Sequence, residues 1–162
     1  MNMMTPPSAV ATAQPVTIVD MAKATSQTCI ASRVRQLSRI ITRVYDDALR
    51  PLGITASQFT LLTQLAMRDG ITAVEIGHEL DIEKSTLSRN LKRLLSIGHL
   101  TMDPPAGRRG RGLHLTPKGI EVIQRAYPIW TNAQAHAMRV MGSDSRRTLD
   151  GLLDQAEQLI AE

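Results

Sequence analysis

The chain has 162 residues, 19 Lys and Arg against 15 Asp and Glu, and a single cysteine. That length supports one domain with a real core, while the lone Cys29 excludes an internal disulfide and a cysteine-rich zinc site. No apolar run is long enough to span a bilayer, and no cationic start followed by an apolar stretch marks a secretory leader, so the expected compartment is the cytoplasm.

Pro6, Pro7 and Pro15, mixed with Ala, Thr and Ser, predict a flexible tail over residues 1–24. Within it Val16, Ile18, Val19 and Met21 form a small apolar cluster that could order against a partner subunit. Residues 25–162 read as one mainly α-helical domain with a small β wing.

Its first helix is predicted over Gln27 to Leu49, where Ile30, Val34, Leu37, Ile41, Val44 and Leu49 recur at three- and four-residue steps. Thr25, Ser26 or Thr28 is the expected cap, and Pro51 and Gly53 end the helix. Thr55-Ala-Ser-Gln58 has capping-box spacing and opens a second helix to Met67, with Phe59, Leu61, Leu62, Leu65 and Ala66 as core candidates. Thr72-Ala-Val-Glu75 is a second capping box, opening a short helix to Leu80 whose Val74, Ile76 and Leu80 should face inward.

After the tight link Asp81-Ile-Glu-Lys84 comes a helix over Ser85 to Leu95, striped by Leu87, Leu91, Leu94 and Leu95 and stopped by Gly98 in a left-handed conformation. His99 to Met102 and Leu113 to Leu115 are the expected wing strands, joined by a loop of turn formers. Thr116-Pro117 starts a helix that runs to about Met141, with a kink expected at Pro128. Gly142-Ser143 leads into a last helix over about Asp144 to Ile160.

Helix, turn, helix, strand, basic loop, strand is the order of a winged helix-turn-helix, here residues 52–117. The segments 25–51 and 118–162 carry more apolar positions than such a lobe can bury. Ile30, Val34, Ile129, Trp130, Leu149, Leu152, Leu153 and Ile160 are therefore expected to pair with a second copy in a two-fold homodimer.

Charge placement points to the partner. Lys84, Arg89, Lys92, Arg93, Arg108, Arg109 and Arg111 face only Asp103 between positions 84 and 111, a net +6 against +4 for the whole chain. A polyanion-binding face on a near-neutral body fits that pattern, and double-stranded DNA is the expected partner. With the leucines inward, Ser85, Thr86, Ser88, Arg89, Asn90, Lys92 and Arg93 lie on or beside the outer face. Arg89 is the best candidate to bridge the two acceptors of guanine, and Asn90 could bridge adenine from a flanking angle. The short hydroxyl side chains let the backbone approach, and Lys92 and Arg93 suit phosphates. Arg108, Arg109 and Arg111, set among glycines, suit a minor groove or its flanking phosphates. The alternative is a winged-helix module that uses this face on protein.

No catalytic set is legible. His78-Glu79 opens like a zinc-protease motif, but Ile82 stands where the second ligand is required. No metal site or cofactor is expected. Cys29, near a helix start with Arg33 one turn on, is a candidate redox residue, although a lone cysteine is more often a small buried hydrophobe.

Leu49-Arg-Pro-Leu-Gly-Ile-Thr-Ala-Ser-Gln-Phe59, Ile76 to Leu91, Gly98-His-Leu100 and Leu115-Thr-Pro-Lys-Gly119 together resemble the MarR/SlyA family of bacterial transcriptional regulators, from about Cys29 onward. The resemblance implies an obligate dimer, a recognition helix at Ser85 to Leu95, a wing at Pro104 to Gly112, and a pseudo-palindromic operator. It also implies repression released by a small molecule or an oxidant. The implied effector pocket lies between the dimer helices and the DNA-binding lobe, with Arg33, Leu37, Ile40, Tyr45, Phe59, Leu62 and Met67 as candidate lining. Where family wings carry an Asp before the arginine pair this chain has Gly107, leaving Asp103 as the nearest acid. The reactive cysteine of the family's peroxide sensors would align at Ala31, and a tyrosine typical of them is replaced by Ala56.

Overall fold

A computed structural model of the chain describes residues 16–104 and 110–161. The chain divides between Ser38 and Arg39 into two compact units.

The first unit holds helix α1 (Ile18–Thr28) and the opening of α2 (Ile30–Leu49). Residues 18–24, expected as tail, are helical because Thr17 and Asp20 form a capping box. Thr17 Oγ1 accepts from the Asp20 amide at 3.1 Å, and Asp20 Oδ2 accepts from the Thr17 amide at 3.2 Å. The Thr17 hydroxyl also donates to Asp20 Oδ2 at 2.6 Å, and that bond first, with the Thr17 amide's, holds the Asp20 carboxyl below its ordinary range. Cys29, extended at φ −67° and ψ 107°, separates the two helices, so the single helix predicted from Gln27 is interrupted there. The hydroxyls of Thr25, Ser26 and Thr28 cap nothing; they donate back to the carbonyls of Met21, Lys23 and Ala24.

In the second unit α2 ends in a 3-10 turn (Arg50–Leu52) closed by Gly53 at φ 70°. Helix α3 (Ala56–Met67) follows, with Thr55 and Gln58 capping each other as the sequence implies. Asp46 accepts from the Ala56 amide at 2.7 Å, tying the end of α2 to the start of α3. Helices α4 (Ala73–Glu79) and α5 (Lys84–Ser96) form the helix-turn-helix. Leu61, Leu62, Leu65, Ile76, Leu87, Leu91 and Leu94 are all buried in one core with Leu49 and Phe59. Ala66 and Val74, both expected inward, are exposed.

The Thr72–Glu75 box at the start of α4 joins the Thr72 amide to Glu75 Oε2 at 2.8 Å. Thr72→Ala is expected to cost about 1 kcal/mol of stability, read from a urea unfolding midpoint; an unchanged midpoint would mean that the cap is dispensable.

Strands β1 (Leu100–Met102) and β2 (Leu113–Leu115) pair antiparallel, with Thr101 opposite His114. The loop before α4 adds to the outer edge of β2: the Gly70 amide donates to Leu113 O and the Leu113 amide to Ile71 O, both at 3.0 Å. Thr116 caps α6 (Pro117–Met141), and Lys118 Nζ donates to Ile97 O at 2.8 Å, closing the end of α5. Helix α6 runs on through Pro128. Ile129 and Trp130, expected at a dimer face, are partly buried against the chain's own core, and the Trp130 ring lies 6.4 Å from that of Phe59. Their period along α6 was legible; which neighbour covers them was not. Helix α7 (Ser145–Ala161) buries no residue. No helix among the described residues is long and apolar enough to cross a membrane.

Candidate nucleic-acid interface

The outer face of α5 is built from its cap upward. Glu83 holds the helix start: its Oε2 accepts from the amides of Ser85 at 2.8 Å and Thr86 at 3.0 Å, and from the Ser85 hydroxyl. Those donors, the Ser85 hydroxyl foremost, hold the Glu83 carboxyl below its usual range. A negative cap at a helix N-terminus is favourable to the dipole. Sequence reading placed Glu83 in the turn and missed this role, although an acid just ahead of a predicted helix is a recognisable capping signal. Asp81, at φ 47°, makes the sharp bend between α4 and α5; Asp tolerates that region better than most residues.

Leu87, Leu91 and Leu94 anchor α5 inward. Ser85, Ser88, Arg89, Lys92 and Arg93 are consequently exposed together. Arg89 is steadied by a 3.1 Å bond from Nη2 to Thr86 Oγ1, which uses one edge of the guanidinium and leaves Thr86 half-buried. Among the described residues, none of Lys84, Arg89, Lys92 and Arg93 pairs with a carboxylate. Unneutralised cations around short hydroxyl side chains form a surface complementary to a phosphate-lined groove. Asn90, expected to flank that face, is half-buried, with its amide oxygen 3.5 Å from the Nε2 of the buried Gln58.

Arg108 and Arg109 lie outside the described residues. Arg111 is exposed, and its Nε donates to the Asp103 carbonyl oxygen. Among the described residues the Asp103 carboxylate pairs with no arginine. It accepts from the Gly112 amide at 3.2 Å and lies 3.0 Å from His114 Nε2. On its other side the ring meets Asp69 Oδ1 at 2.9 Å from Nδ1. Neither Asp69 nor His114 was singled out from sequence; positions 45 apart carry no local signal of contact.

A cavity of about 620 Å³ lies between α4 and α5, floored by Leu87, Leu91 and Ile82 and rimmed by Lys84, Ser88 and Lys92. The residues proposed from the resemblance as effector lining differ in burial. Phe59 and Leu62 are core, and Met67 is largely exposed. The Tyr45 hydroxyl donates to Gln134, and burial raises its pKa. Ile40 is exposed. In the first unit Leu37 is marginally exposed, Arg33 donates to Gln36 at 3.4 Å, and Cys29 is half-buried. No group of three His, Cys, Asp or Glu suited to a metal occurs among the described residues.

Comparison with known proteins agrees with this architecture. A family model described as "MarR family" matches residues 52–110. The transcriptional regulator MosR of M. tuberculosis, solved in complex with DNA, is 31% identical at a TM-score of 0.70, covering 81% of this chain and 98% of that one.

The chain belongs to the MarR family.

A mutant MarR from E. coli, solved with operator DNA, superposes at a TM-score of 0.71 with 25% identity, over 82% of this chain and 96% of that chain. The multiple antibiotic resistance protein MarR of Salmonella typhimurium is 35% identical over 86 residues, 52% of this chain; that match spans 60% of the Salmonella protein. The chain thus has the MarR-like fold, mainly helical with a two-stranded antiparallel wing, and falls in a family of winged helix-turn-helix transcriptional regulators that are not enzymes. The matched segment 52–110 runs from the 3-10 turn before α3 into the wing and takes in the whole helix-turn-helix.

Proposed function

We propose that this chain binds a pseudo-palindromic operator as a homodimer and represses transcription by occupying it. The outer face of α5 carries the proposal: Ser85, Ser88, Arg89, Lys92 and Arg93 stand exposed on a helix locked inward by three buried leucines, and among the described residues none of the three cations is in an ion pair. A helix so presented fits the major groove, with Arg89 toward base edges and Lys92 and Arg93 toward phosphates. That two relatives were crystallised with DNA supports the same partner here.

Exposed apolar side chains favour a second copy as the partner in assembly. Ile30 and Val34 on α2, and Leu152, Leu153 and Ile160 on α7, are all exposed, while Leu149 is half-buried. Apolar surface in such quantity usually marks an interface. A two-fold pair presents two recognition helices to two half-sites, which is why a palindromic site is expected. For release, the cavity between α4 and α5 offers an apolar floor of suitable size for a small effector. A molecule seated there would press on the helix that meets DNA. Cys29 remains the candidate for an oxidant signal.

Selection of genomic fragments on the full chain, followed by titration of a retained duplex at rising salt, tests the proposal. Log affinity should fall linearly with log salt, at a slope of roughly −0.9 per phosphate contacted. No retained duplex at low salt would overturn DNA binding and favour the protein-docking alternative.

A further inference from the structure

We infer that His114 is the positioning residue of the wing: its ring ties Asp69, on the loop after α3, to Asp103, at the wing's stem, and so sets where Arg111 meets DNA. This rests on the DNA-binding function proposed above and adds the group that holds one of its contacts in place.

Both ring nitrogens are engaged. His114 is the central residue of β2, between Leu113 and Leu115. Alternation along the strand puts its ring on the face opposite those two leucines. Nδ1 lies 2.9 Å from Asp69 Oδ1 and Nε2 lies 3.0 Å from Asp103 Oδ1. An ionised carboxylate only accepts hydrogen bonds, so both ring nitrogens must donate, and only the imidazolium does so. The arrangement therefore specifies the charged ring.

Asp103 passes this anchor to the wing. Its amide donates to Gly112 O at 2.9 Å, its Oδ2 accepts from the Gly112 amide, and its carbonyl oxygen holds Arg111 Nε. Both ends of the wing, Asp103 and Gly112, are thus fastened to each other, and through His114 to the loop that leads into α4. The space leaves little slack: a Cβ on Gly112 would lie 3.3 Å from His114 Nε2 and 3.0 Å from Gly70 O.

Among the described residues the charged groups facing the ring are Asp69 from the loop after α3 and Asp103 just after β1, with Arg111 held on the same stem. Their hydrogen bonds, that of Asp69 first, raise the His114 pKa above the ordinary histidine value. A group with a raised folded-state pKa stabilises fully below its unfolded value, and that contribution is lost as pH climbs through the raised value. The wing should accordingly be held firmly under mildly acidic conditions and loosen as pH rises past the ordinary histidine range. One carboxylate then faces an unprotonated nitrogen.

The test uses the full chain and a duplex retained from genomic fragments, with anisotropy measured from pH 5.5 to 8.5 at constant ionic strength. Wild-type affinity should fall about two- to fivefold across that range, the scale expected for exposed charged pairs. His114→Gln should bind at the weak limit with that component of the pH slope gone. His114→Arg, a permanent cation able to reach two carboxylates, should bind tightly at every pH. Matching helical circular dichroism separates these effects from misfolding. A His114→Gln slope equal to wild type would overturn the inference. So would a His114 ring resonance titrating at the ordinary value, a reading independent of DNA. If wild type binds no duplex at any pH while the ring titrates high, the clamp stands and DNA binding as the function fails.

Discussion

Arg89→Ala is expected to weaken binding to the selected operator roughly ten- to a hundredfold, about 1–3 kcal/mol, with most of the loss at a single base pair. Its guanidinium is exposed, free of carboxylates among the described residues, and steadied by Thr86 one turn back. An arginine that bridges guanine loses discrimination when truncated, so wild-type and mutated duplexes should become nearly equivalent at that position. Lys92→Ala should behave otherwise. It should weaken all duplexes evenly and reduce the salt slope by about 1, as removal of one phosphate contact does. Affinity for a panel of singly substituted operators, measured at two salt concentrations, separates the two. Equal loss of base preference in both variants would contradict the division of labour on α5.

Gly119→Ala should lower stability by roughly 3 kcal/mol, the upper range for forcing extra volume into a packed site. In an open helix the same change would add about 1 kcal/mol, because alanine is the better helix former. The sign therefore decides between two accounts of this residue. Gly119 is buried in the first turn of α6, against the carbonyl of His99. A Cβ there would overlap the His99 oxygen outright and lie 3.2 Å from both His99 C and Leu115 Cδ2. The oxygen cannot simply move away, since it accepts from the Thr116 amide at 3.1 Å, and Thr116 in turn caps α6 and bonds Gly98 O at 2.7 Å. For a chain of this size the loss should depress the melting temperature by about 6–12 °C. A higher melting temperature would show that the approach is looser than described.

Much of the lobe was legible because its signals are local. The boxes at Thr55 and Thr72, the leucine stripe of α5 and Gly98, found at φ 75°, all lie within a few residues of the structure they cause. Misreadings arose in two ways. One was a weakened local signal: Thr17 and Asp20 form a capping box with Asp in place of the usual Glu, and a proline-rich stretch before them suggested a tail. The other was long-range packing. Periodicity showed that Ile129 and Trp130 face something apolar but not that Phe59 and the rest of the chain's own core supply it. Phe59 and Leu62 carried two readings from sequence, core and pocket lining, and both residues are buried in the core.

The candidate site divides along the same line. Exposure of Ser88, Arg89, Lys92 and Arg93 follows directly from the leucine positions. The contact of Asn90 with Gln58, 32 residues earlier, and the His114 clamp to Asp69, 45 residues earlier, were not legible. No spacing rule connects such positions; only the fold does.

Hydroxyl-radical footprinting of the full chain on a selected operator tests the central claim most directly. Two helices presented by a symmetric pair should protect two equivalent tracts, their centres about 10 base pairs or a multiple apart. Arg89→Ala should erase the selectivity of that pattern without changing the particle's size in solution. A single protected tract from a monomeric particle, or a symmetric footprint indifferent to Arg89, would contradict the account.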